Sequence, residues 1–74
     1  MGREYIPETI GGRIRQLREK KEMTRTALAR IMYVDRRTVS RWEDGAIYPR
    51  SQDIRRLSEC FGVSCDYIII GKAK

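Results

Sequence analysis

No histidine occurs anywhere in the 74 residues, which removes the commonest general base and the commonest metal ligand at once. Only two cysteines are present, Cys60 and Cys65, so four soft ligands for a structural zinc cannot be gathered. Cys60 falls where a helix would face the core, and both are read as free thiols rather than a disulfide. No nucleophile stands beside a base and no glycine loop has phosphate-cradling spacing. The reading is therefore not an enzyme, with no cofactor and no metal. No apolar run approaches the roughly 20 residues of a membrane span, and no basic-then-apolar leader opens the chain, so a soluble, cytoplasmic protein without a membrane partner is expected.

Acidic residues are also in short supply. Sixteen lysines and arginines stand against 10 aspartates and glutamates, a net charge of +6, as suits a partner carrying phosphates. Charge alone is weak evidence, because many basic proteins bind nothing specific. The length allows one small domain, near the lower limit at which a single core holds without metal or disulfide. The expected division is an N-terminal arm over residues 1–8, one domain over 9–71 and a short tail over 72–74. In the arm, Arg3 has the reach to touch a phosphate, against the simpler reading of a frayed terminus.

What the chain does contain is concentrated between Thr24 and Gly45. A first helix opens at Thr24, whose hydroxyl can cap free amides, and buries Ala27, Leu28, Ile31 and Met32. A second opens at Asp35, a good cap at the positive end of a helix dipole, with Val39 and Trp42 three apart and Gly45 as its stop. Only Tyr33 and Val34 separate the two, so the second must turn sharply against the first. Its outward face carries Arg36, Arg37, Ser40 and Arg41, while Trp42 reads as core rather than as a stacking platform. An earlier helix, from Glu8 or Thr9 to Lys21, sets Ile10, Ile14 and Leu17 along one stripe. Gly11 and Gly12 weaken its first turn, at about 1 kcal/mol each, and Arg13, Arg15, Arg18, Lys20 and Lys21 read mostly as solvated. A fourth helix, capped by Ser51, buries Ile54, Leu57, Cys60 and Phe61 and stops at Gly62, with Arg55 and Arg56 outside. A short fifth follows Ser64. Its run Tyr67, Ile68, Ile69, Ile70 cannot all face one small core, so part of it should be exposed.

These residues resemble the helix-turn-helix DNA-binding domains of the phage repressor, Cro and XRE type. The resemblance spans Ile10 to Gly71 and rests on TxxxLA at Thr24 to Ala29, VSRWEDG at Val39 to Gly45, Pro49, and FGVSxDYI from Phe61 to Ile68. It implies an all-α, five-helix, lambda-repressor-like fold with the third helix in the major groove of double-stranded DNA. Base contacts then fall to Arg36, Arg37 and Arg41, whose planar forks suit guanine O6 and N7. Phosphate contacts fall to Thr24, Arg25, Thr38, Ser40, Tyr48 and Arg50. Arg18 and Glu43 would form a structural ion pair.

Two positions depart from the family. Arg25 stands where the family commonly has a glutamine on a phosphate, and the plainer alternative is a solvated arginine. Tyr33 stands where the family usually has glycine in a left-handed turn. Tyr67, Ile68, Ile69 and Ile70 would supply the interface of a homodimer on a palindromic operator, and the outcome would be transcriptional control, more readily repression. The alternative is an antitoxin or interaction module whose C-terminal apolar stretch holds a protein partner while the same helices bind its own operator.

Overall fold

The computed structural model describes residues 5–72, and Arg3 and the end of the tail lie outside them. Five helices follow one another: α1 (Ile10–Lys20), α2 (Arg25–Met32), α3 (Arg36–Asp44), α4 (Ser51–Phe61) and α5 (Cys65–Ile70). Four begin on a side-chain cap of the kind their sequence offers. The Thr9 hydroxyl accepts from the Gly12 amide at 2.9 Å, Thr24 from Ala27 at 3.0 Å, the Asp35 carboxylate from Arg37 at 2.7 Å, and Ser64 from Tyr67 at 2.9 Å. The exception is α4. Arg50, not Ser51, is its N-cap residue, and Asp53 reaches back to accept the Arg50 amide at 3.0 Å. That carboxylate holds the amide of the residue before the helix rather than capping a first-turn amide as a serine would, and it suits the positive end of the helix.

One core joins the five helices, built from Ile14, Leu17, Leu28, Ala29, Met32, Val39, Trp42, Leu57, Phe61, Tyr67 and Ile68. Ile10, Met23, Val34, Ile54, Cys60 and Val63 pack against its edge. Ile31 is the misplaced expectation: it sits one position round from the buried stripe and is 49% exposed.

Gly11 has a second meaning that its helix propensity conceals. A Cβ at this position would overlap the Trp42 carbonyl oxygen and lie 2.7 Å from that of Glu43, so only glycine lets α1 cross against the backbone of α3. The weakened first turn of α1 is thus the condition for holding α3 close.

Arg13 corrects the reading of a solvated basic face. Its guanidinium is buried and donates from Nε to the Ile68 carbonyl at 2.9 Å, from Nη1 to Pro7 at 2.8 Å and from Nη2 to Ile69 at 2.8 Å. Cationic donors at the negative end of α5 satisfy carbonyls that have no partner within the helix. The residues just before α1, read as part of a loose arm, are tied down by the same contact and by Gln16 Nε2, which donates to the Tyr5 carbonyl at 2.6 Å.

Tyr33 keeps the family's turn geometry without its glycine. It is left-handed, with φ 59° and ψ 41°, the residue is 83% exposed, and the Arg56 guanidinium lies 5.5 Å from its ring centroid. Arg56 also donates to the Met32 carbonyl at 3.2 Å, so it is not merely solvated. A left-handed non-glycine residue costs about 1 to 2 kcal/mol. Tyr33→Gly should therefore unfold at higher denaturant than Tyr33→Ala, by about 1 kcal/mol after the extra freedom of an unfolded glycine is subtracted. Both variants lack the ring, so urea titrations of the pair isolate the backbone; equal midpoints would show an unstrained turn.

Candidate nucleic-acid interface

The face of α3 follows from its burial. Val39 and Trp42 turn inward, which leaves Arg36, Arg37 and Arg41 exposed on the other side, with Ser40 half-buried between them. No hydrogen bond within the described chain engages the side chain of Arg36 or Arg41. Arg37 Nε lies 3.4 Å from Asp35 Oδ1 on an open surface, a contact solvent weakens. The Asp35 carboxyl is held below the usual carboxylate range, chiefly by the Arg37 backbone amide and then by its side chain. It stays charged and keeps the helix start in place.

Behind this face the expected ion pair is present and larger than expected. Glu43 Oε2 accepts from Arg18 Nε at 2.7 Å and Oε1 from Arg18 Nη2 at 3.0 Å, a two-pronged pair, while Arg18 Nη1 donates to the Met23 carbonyl at 2.8 Å. The hydrogen bond to Glu43 raises the pKa of Arg18. A third donor joins them: Arg25 Nε reaches Glu43 Oε1 at 3.1 Å. The Glu43 side chain is 1% exposed, that of Arg18 10% and that of Arg25 35%. Sequence reasoning placed Arg25 on a phosphate or in solvent and missed this bond, which depends on how the start of α2 meets the end of α3.

In front of the triad, Arg15, Arg18, Thr24, Arg25, Thr26 and Arg36 line an open concavity of about 410 Å³. It joins the start of α2 to the start of α3, and four arginines line it. Thr38, half-buried, lines a separate hollow of about 290 Å³ with Tyr48, Arg50 and Trp42, and Tyr48 is 77% exposed. Of the residues expected on DNA, Thr24, Arg25 and Arg36 meet at the first concavity and Thr38, Tyr48 and Arg50 at the second, while Arg37 and Arg41 stand exposed on α3 outside both and Ser40 is half-buried.

The C-terminal run divides. Tyr67 and Ile68, expected in a subunit interface, are buried in the core of the single chain and offer no surface. The reason is direction: Tyr67 and Ile68, in the middle of α5, lie on the side that packs against α1 and α4, and of the apolar run only Ile69 and Ile70 turn outward. Both cysteines are free and partly buried, and burial raises the pKa of Cys60, which keeps it a protonated thiol. Among the described residues no helix is long and apolar enough to cross a membrane.

Comparison with known proteins agrees with this geometry. The helix-turn-helix family profile matches residues 14–68. The chain is 35% identical over 60 residues to the HTH-type transcriptional activator BcrR of Enterococcus faecalis, covering 81% of this chain but 29% of that protein's length. In structure it is similar to the P22 c2 repressor bound to a synthetic operator, with a TM-score of 0.84 at 29% identity over 89% of this chain and all of that one. The N-terminal DNA-binding domain of SinR from Bacillus subtilis gives 0.73 at 28% identity, over 80% of this chain and 87% of that one. With the caps, the left-handed turn and the buried pair behind α3 all in place, the chain belongs to the helix-turn-helix family of DNA-binding transcriptional regulators, of the Cro/C1 (XRE) type.

Proposed function

We propose that the protein binds a specific double-stranded operator with α3 in the major groove and represses transcription as a homodimer. The observation that carries this reading is the face of Arg36, Arg37 and Arg41, which points outward while Glu43 on the same helix is locked to α1 and α2. Arginine forks reading guanine place G in each half-site. Thr24, Arg25, Thr38, Ser40, Tyr48 and Arg50 hold phosphates, and Ile69 and Ile70 form the two-fold contact. The P22 c2 repressor, solved on an operator, supports the docking. BcrR is an activator, so activation at the same operator is the other sign this family allows.

Selection from a random duplex library at near-physiological salt tests this. An enriched inverted repeat with G-containing half-sites about 10 to 10.5 base pairs apart supports a dimeric reader. No enrichment from folded protein overturns it and favours the second reading, in which Ile69 and Ile70 hold a protein partner as in an antitoxin.

On the selected site, Arg36→Ala and Arg37→Ala should each lose about 1 to 3 kcal/mol of discrimination and little affinity for random duplex. Arg25→Ala should weaken all sequences alike and reduce the log-log salt slope by about 1. Equal losses on specific and random DNA for all three would show that the roles are not divided.

A further inference from the structure

We infer that Glu43 is a positioning residue for the interface: it holds Arg25 by one edge so that the rest of the guanidinium faces the concavity. The inference rests on the DNA-binding reading above. Glu43 is buried and carries one negative charge for two arginines. Arg18 takes both of its oxygens through Nε and Nη2, and its remaining Nη1 goes to the Met23 carbonyl, so its guanidinium is spent inside the fold. Arg25 is different. Only its Nε is hydrogen-bonded, to Glu43 Oε1, and about a third of its side chain remains exposed beside Thr24, Thr26 and Arg36.

The fork of arginine explains what this arrangement does. Nε and the two Nη nitrogens are rigidly coplanar, so fixing Nε sets the direction of the other donors. An exposed arginine pays side-chain entropy when it orders on a phosphate, and one already anchored pays less. The triad keeps a net charge of +1, so the anchor does not cancel the attraction for a phosphate diester. A lysine can reach Glu43 or a phosphate with its single ammonium, but it has no second edge to offer.

The test compares Arg25→Lys with Arg25→Ala on random duplex DNA at about 0.1 M salt, using the full chain. The expected result is that both lose roughly threefold to tenfold in affinity, since a lone charge cannot replace an anchored fork. Lysine binding within twofold of the native chain, while alanine is weak, would overturn the proposal and reduce Arg25 to a point charge. A second measurement is independent of any variant: in the DNA-free protein the Arg25 Nε–H should show nitrogen-15 relaxation close to that of the backbone, unlike that of Arg36. Relaxation of Arg25 as fast as that of Arg36 would also overturn the proposal. If the native chain binds no duplex at all, the DNA reading falls and the relaxation data still decide whether Glu43 anchors Arg25.

Discussion

Glu43→Ala should cost about 3 to 5 kcal/mol of folding stability, far more than any exposed ion pair in the molecule. The carboxylate is buried and accepts from Arg18 Nε, Arg18 Nη2 and Arg25 Nε. Removing it leaves one nearly buried guanidinium without its counter-charge beside another, in a place water reaches poorly. The control is Arg15 and Glu19, an i,i+4 pair at 3.0 Å whose side chains are both more than half exposed, where Glu19→Ala should cost at most about 0.5 kcal/mol. Urea unfolding followed by circular dichroism reads both. A loss below 1 kcal/mol for Glu43→Ala would mean that solvent, not the carboxylate, balances Arg18.

The second large effect is expected at Arg13. Arg13→Met keeps most of the aliphatic stem but withdraws donors from the carbonyls of Pro7, Ile68 and Ile69, and should cost about 2 to 4 kcal/mol. The loss should be local first: α5 amides should exchange faster with solvent well before those of α2 and α3. Arg13→Lys should recover only part, because one ammonium cannot span three carbonyls held in a fork. Uniform loss of protection across all five helices would show that α5 unfolds only with the whole domain.

Much of this fold was legible because its signals are local. Thr24, Asp35 and Ser64 announce helix starts through a single hydroxyl or carboxylate, Gly45 and Gly62 announce the ends, and Val39 and Trp42 set the inward side of α3 by spacing alone. The arginines on its outer side followed by subtraction. Other features depend on where distant segments meet, and no periodicity carries that information. Gly11 looks like a poor helix residue until the carbonyls of Trp42 and Glu43 are seen against it. Arg13 looks like any surface cation on a basic helix, since two of its three partners, Ile68 and Ile69, lie 55 and 56 residues away in sequence. The apolar run at Tyr67 to Ile70 was split by the direction of α5, which only packing against α1 and α4 decides.

The grip of Arg13 on Pro7 and Ile69 also governs how the domain is wired into a polypeptide. Two nitrogens of one planar group hold the strand coming in and the strand going out, so entry and exit share one corner of the molecule. A domain wired in this way should tolerate insertion into a loop of a host protein, and a short glycine-serine bridge between the two ends should allow a circular permutant opened between the exposed Ile47 and Tyr48.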